Sequence, residues 1–239
     1  MIEVALLAAA LIQIGMRVAA QPGLAARLLP FRGGPPFTAW AGRLWLSFAV
    51  PALAVLLLTG RGGALWSVPA ELAPAAAVAR SYGRFEAWPI LLGLALGSVL
   101  TAGLSWWRQR RGGRPFYIGR PPRLPAHARE LPAAAALALS AGVTEELYFR
   151  LMLPVLIAAV TGSAMLGVGG SALLFGAVHR YQGWAGMVAT GLAGLFLSFV
   201  HLASGELWLA MACHAAIDLN ALVARPALGF ASRTRHGGR

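Results

Sequence analysis

The sequence predicts an all-α, polytopic integral membrane bundle, one domain over residues 1–239 with about seven transmembrane helices, within a range of six to eight. Three observations carry this. Mean hydropathy is +0.68, and 58% of residues are hydrophobic. Only 12% are charged, against about a quarter in an ordinary soluble domain. The apolar residues also gather in runs of roughly 20, the length a helix needs to cross a hydrocarbon core.

The first run, Ile2 to Val18, has Glu3 at its start and Arg17 at its end. That is the reverse of a cleaved signal peptide, so it reads as a first span with its N-terminus outside. A loop with Pro22, Arg27, Pro30, Arg32, Gly33, Gly34, Pro35 and Pro36 follows, expected inside. The second span covers 44–59, with Pro51 as a kink. Residues 60–87 read as a longer link in which Arg61, Arg80 and Arg84 nearly balance Glu71 and Glu86. The third span, 88–107, ends in the interfacial pair Trp106 and Trp107. Within it, Gly93 and Gly97 have GxxxG spacing, which fits a helix-packing face and loose small-residue packing equally well.

The strongest basic run comes next: Arg108, Arg110, Arg111, Arg114, Arg120, Arg123 and Arg129 against Glu130 alone. Pro115, Pro121, Pro122 and Pro125 make it an irregular loop, and the positive-inside rule puts it in the cytoplasm. Four more spans fit at 131–160, 163–179, 184–202 and 206–224, the first of them bent or split by Pro154. Residues 225–239 then form a basic tail, with Arg225, Arg233, Arg235 and Arg239. Every arginine-rich segment falls on one side, so the C-terminus is expected in the cytoplasm of a bacterial inner (cell) membrane. The domain thus divides into N-terminal spans and basic loop (1–130), a motif-bearing core (131–224) and the tail (225–239).

The net charge of +12 does not point to nucleic acid, because that reading needs a soluble basic face. Here the arginines lie between apolar runs, where they set topology and meet anionic lipid headgroups. The membrane lipid is therefore an expected partner and nucleic acid is not. A lone cysteine, Cys213, excludes an internal disulfide and a cysteine-rich metal site.

The fourth span carries Glu145, Glu146 and Arg150. Ionised groups in hydrocarbon are costly and usually face a partner or a wet cavity. Adjacent helical residues point about 100° apart, so one glutamate can face a cavity while the other faces protein. Glu146 and Arg150 are four apart and suited to an ion pair, which leaves Glu145 for chemistry as a general base. Phe175 and His179 are four apart near the end of the fifth span, and His214 and Asp218 are four apart on the seventh. His214 and Asp218 fit either a carboxylate-oriented imidazole or a satisfied polar pair. Three spans thus supply the groups that activate a water or hold a metal. HExxH and GxSxG are both absent, which excludes the common zinc-protease helix and the serine elbow. His201, Glu206, His127 and His236 read as exposed. Tyr148 and Phe149 read as core, with a substrate groove as the other reading.

The order EExxxR (Glu145, Glu146, Arg150), FxxxH (Phe175, His179) and HxxxD (His214, Asp218) resembles the CPBP family of intramembrane proteases. That family includes the type II CAAX prenyl endopeptidases and bacterial Abi-type immunity proteins. Thr190-Gly191-Leu192-Ala193-Gly194, followed by Gly205-Glu206-Leu207-Trp208, is also similar to its usual run. The resemblance covers about residues 130 to 222 and implies endopeptidase activity on a membrane-embedded or lipidated protein. It implies Glu145 and His179 at the attacking water, with His214 and Asp218 completing the site and Glu146, Arg150 and Phe175 supporting it. Both a zinc ion on His179, His214 and Glu145 and a metal-free glutamate mechanism are open. Two departures stand out. Asp218 replaces the asparagine common in prenyl proteases, and an ionised aspartate cannot donate to an oxyanion. Leu151 replaces a glycine, which reads as packing. The competing readings are a non-proteolytic scaffold or bacteriocin-immunity protein of the same fold and a small transporter; transport is expected with inverted repeats, which the sequence lacks.

Overall fold

In the computed structural model the described residues, 1–19, 36–82 and 85–234, form helices and loops with no strand. The expected positions at 22–35, Arg84, Arg235, His236 and Arg239 lie outside them. In chain order the helices are α1 (Ile2–Ala19), α2 (Phe37–Leu58), α3 (Ala73–Ser81), α4 (Ala87–Arg110), α5 (Leu131–Glu146), α6 (Leu153–Thr161), α7 (Ala164–Val178), α8 (Gly183–Ser204), α9 (Leu207–Leu219) and α10 (Arg225–Thr234).

Five helical segments are long and apolar enough to cross a membrane: Ile2–Ala19, Phe37–Leu58, Ala87–Arg110, Arg180–Ser204 and Leu207–Phe230. The expected fourth and fifth spans are also helical but differ in kind. Leu131–Thr161 runs through α5 and α6 with Glu145, Glu146 and Arg150 inside it, and α7 has 15 residues. Both lie toward the centre of the bundle, where protein replaces lipid, so a charged or short helix is tolerated there. Three expectations change. The link at 60–87 is not loose: Leu72, Ala75, Ala76 and Ala79 bury α3 against Val155, Ala158 and Leu202. The tail expected from 225 continues as helix to Thr234, because α10 follows α9 through an unbroken backbone turn. Gly93 and Gly97 are exposed, and among the described residues nothing packs on them, so the GxxxG face of α4 meets no helix there.

Prolines shape the bundle through wide π-type turns. These span Trp45–Ala49, Leu147–Met152 and Asn220–Ala224. Each is followed by one residue whose N–H bonds the carbonyl five back: Val50 to Trp45, Leu153 to Tyr148, Arg225 to Asn220. A proline comes next each time, Pro51, Pro154 and Pro226. Proline has no N–H and its ring crowds the carbonyl four residues back, so the helix widens instead of breaking. The carbonyls left without a donor must find one elsewhere in a dry interior. Side chains from other elements supply it: Gln13 Nε2 donates to Ser47 O, Ser171 Oγ to Phe149 O (2.5 Å), and Tyr117 Oη to Ala221 O (2.7 Å). Helical backbone thus runs on past Pro154, from Leu131 to Thr161, without a split.

The core follows from this. Phe48 packs edge-on against Tyr148 (5.0 Å) and Phe149 (5.3 Å), joining α2 to the central wide turn. Tyr148 and Phe149 are fully buried, so both are core residues, and Leu151 is buried as packing. Gly162, at φ 72°, ends α6 in a left-handed turn that costs other residues strain, and Ser163 caps α7 by accepting from Leu166 N–H. At Gly142 a Cβ would meet Ala215 N at 2.8 Å and Met211 O at 2.9 Å, so α5 and α9 touch backbone to backbone. That contact sets the glutamate helix beside the His214 helix.

Candidate active site

The two glutamates part as their adjacency predicts. Glu146 is 0% exposed and turned into protein. Its Oε1 accepts from His214 Nδ1 at 2.7 Å, and its Oε2 lies 3.1 Å from Arg150 Nε. Arg150 is also buried, and its guanidinium carbon sits 4.0 Å over the Phe175 ring. One carboxylate thus links α5 to α9 and neutralises a buried cation, while Phe175 of α7 supports that cation through its π-face.

Glu145 instead lines a cavity of about 310 Å³. Its carboxylate has no hydrogen-bond partner among the described residues. His179, His214, Asp218 and Phe175 line the same cavity, so three elements, α5, α7 with its C-terminal end, and α9, deliver side chains to one space. His179, just past the end of α7, donates from Nδ1 to its own Phe175 carbonyl at 2.8 Å. A carbonyl only accepts, so in the neutral ring Nε2 keeps its lone pair. His214 is fixed in the same way by Glu146, and its Nε2 lies 3.8 Å from Asp218 Oδ2, too long for a hydrogen bond. The Phe175 ring packs against both imidazoles, at 4.8 Å from His179 and 6.0 Å from His214.

Several residues of this cavity had no signal in the sequence. Tyr117, Arg120, Tyr181, Gln182 and Arg225 line it at the end of the bundle that carries the basic loop. Arg120 N–H donates to Gln182 O at 2.7 Å, and Gly119, at φ 77°, passes so close that a Cβ would lie 2.5 Å from that same oxygen. Arg225 stacks over Tyr117 at 4.5 Å and donates to Phe116 O at 2.6 Å. Burial raises the Tyr117 hydroxyl's pKa, the Arg225 charge opposing, so it stays a donor to Ala221. Arg17 of α1, stacked on Phe48 at 4.3 Å, adds positive potential at Glu145. His201 corrects an expectation: it is 1% exposed, packed beside Glu146 and Arg150 rather than facing solvent. Glu206 and His127 are exposed as expected.

A family model described as Type II CAAX prenyl endopeptidase Rce1-like matches residues 127–220, from the end of the basic loop to the last motif. This segment is similar to the Rce1-like family. No curated protein and no solved structure matches the chain. The Rce1-like segment contains EExxxR, FxxxH and HxxxD, and α1, α2 and α4 lie outside it. Its apolar helices, together with this similarity, make the chain an integral membrane protein. The donor set was expected to suit zinc on His179, His214 and Glu145. Among the described residues, however, no three His, Cys, Asp or Glu side chains are placed to share a metal ion.

Proposed function

We propose that the chain is an intramembrane endopeptidase that hydrolyses a peptide bond of a membrane-embedded or lipidated protein through a glutamate-activated water. The observation that carries it is the split between neighbours: Glu146 is tied to His214 and Arg150, while Glu145 faces the cavity unpartnered. Glu145 takes a proton from water as hydroxide adds to the scissile carbonyl. His179, held by the Phe175 carbonyl, accepts a hydrogen bond from that water through Nε2. His214 supplies the oxyanion's hydrogen bond from Nε2–H, its Nδ1–H being bonded to Glu146. Glu145 then gives its proton to the leaving nitrogen as the C–N bond breaks, which yields a carboxylate and an amine. Asp218 Oδ2 lies 3.8 Å from Nε2 of His214, at the same end of the ring. The basic loop and the cavity mouth lie on the cytoplasmic side in this reading.

The test is cleavage of lipidated and transmembrane peptides by purified protein in detergent, with metal content measured on each sample. Glu145→Gln and His179→Ala should each lower kcat by about 10²–10⁴-fold, the usual weight of a general base or its partner. Retained cleavage in Glu145→Gln overturns the proposal. Stoichiometric zinc whose removal abolishes cleavage replaces the bare-glutamate mechanism with a metal one.

A further inference from the structure

Arg225 opens α10 directly after the third wide turn and is only 9% exposed. Its Nη1 donates to Phe116 O at 2.6 Å, its Nε to Asn220 O at 3.4 Å, and its guanidinium stacks on Tyr117. These contacts fix the side chain, yet every partner is neutral. Among the described residues Nη2 has no partner, and none of the chain's eight acidic side chains, all of them described, forms an ion pair with Arg225. The other buried arginine, Arg150, has Glu146. Buried charges are ordinarily paired, so an uncompensated guanidinium in a cavity wall calls for an anion from outside the chain.

The cavity that holds Arg225 is the one Glu145 faces, and its charges are sorted. Glu145 and Asp218 lie among the motif residues, whereas Arg225 and Arg120 line the end that carries the basic loop. The Arg120 side chain is exposed and without a partner among the described residues, while its backbone N–H is held by Gln182 O at 2.7 Å. A ligand's negative charge therefore belongs at the arginine end and not beside Glu145, where like charge repels it. Burial selects the ligand's shape as well. Arg225 is met through the cavity rather than from the open bilayer surface, which suits a peptide threaded along the cavity better than a lipid headgroup. From His214 to Arg225 the helical backbone rises about 16 Å. The Arg225 side chain reaches back toward Asn220, so an extended peptide crosses that distance in about three to five residues.

We propose that Arg225, with Arg120, forms a subsite for an acidic residue: it binds the side-chain carboxylate of an aspartate or glutamate that the peptide carries about three to five residues from the scissile bond. That the peptide is a substrate rests on the hydrolysis proposed above; that the carboxylate binds there does not. A guanidinium already held by two carbonyls and a ring loses little freedom when the carboxylate arrives, and its open Nη2 makes a charge-assisted hydrogen bond.

The experiment uses transmembrane peptides in neutral detergent, each amidated at its C-terminus and carrying an uncharged fluorophore. A single glutamate, or glutamine in its place, is walked along the peptide. Binding is read by fluorescence anisotropy on Glu145→Gln protein, which leaves the peptide intact, and cleavage is read on wild type. Expected is one window of positions, about three to five residues from the bond that wild type cuts, where glutamate binds about 10–100-fold tighter than glutamine. In cleavage the same preference appears as a lower KM. Arg225→Gln abolishes the preference, Arg225→Lys keeps part of it, and Arg120→Gln lowers it. Equal binding of glutamate and glutamine peptides at every position overturns the inference, as does a preference that survives Arg225→Gln. Should Arg225→Gln fail to fold, a preference undiminished in Arg120→Gln overturns it instead. Short-chain phosphatidylglycerol is titrated alongside; if it binds through Arg225 while the peptides show no preference, the guanidinium serves a lipid phosphate and the inference falls. Should wild type cut nothing while glutamate peptides still bind through Arg225, the protease reading falls and the subsite stands.

Discussion

Glu145 and Glu146 are chemically identical neighbours, yet their removal should have opposite consequences. Replacing Glu146 by alanine strips the buried Arg150 guanidinium of its carboxylate and His214 Nδ1 of its 2.7 Å acceptor. Nη1 and Nη2 of Arg150 lack hydrogen-bond partners, so no second carboxylate is bonded to them, and only the π-face of Phe175 remains over the charge. Breaking a buried pair by deleting one member costs about 3–5 kcal/mol. For a chain of this size that lowers the unfolding midpoint by roughly 6–20 °C. Glu145→Ala removes a carboxylate that has no hydrogen bond, so its midpoint should stay within about 2 °C of wild type, an effect of ~0.5 kcal/mol. Cys213, the single cysteine, is 1% exposed and reports unfolding directly through a thiol-reactive fluorophore during a thermal ramp. Cleavage is lost in both variants, but only Glu146→Ala is lost through the fold. A Glu145→Ala midpoint that falls as far as that of Glu146→Ala would refute the division of labour between them.

Three further outcomes follow from the same geometry. Gly142→Val puts side-chain atoms where the α9 backbone already lies, which costs about 1–3 kcal/mol and pushes His214 away from Glu146; the thermal ramp and cleavage assay should both record it. Ala193→Phe fills the cavity from α8 without touching a site side chain, so cleavage should fall while the midpoint holds; unchanged KM and kcat would show that substrate enters elsewhere. Gln13→Leu leaves the Ser47 carbonyl of the first wide turn without its donor, a loss of about 1–3 kcal/mol that chemical denaturation can measure.

Much of the fold and site was legible because membrane physics restricts what a sequence can do. An apolar run of sufficient length has few alternatives to helix, so α1, α4 and α8 lie close to their expected limits. A charged residue within such a run is expensive enough to mark a site, and Glu145, Glu146, Arg150, His179 and His214 were found on that ground. His201 shows where the argument weakens: near a span end, burial and exposure follow the same sequence pattern, and only α8's packing beside Arg150 decides between them. The residues α3 buries were missed because its alanines carry too little hydropathy to stand out from a loop.

What the sequence determined by itself is the class of the molecule: an all-helical membrane bundle with its polar groups gathered on a few apolar helices. The i,i+4 spacing already pairs Glu146 with Arg150 and leaves Glu145 over. Tertiary structure decided what each glutamate meets, His214 for Glu146 and the cavity for Glu145, because that depends on partners far away in the chain. Ser171 satisfies the Phe149 carbonyl of the wide turn that precedes Pro154, and Gly142 lets α9 bring His214 within 2.7 Å of Glu146. Each of these is a contact between segments distant in sequence, and local propensity holds no record of it.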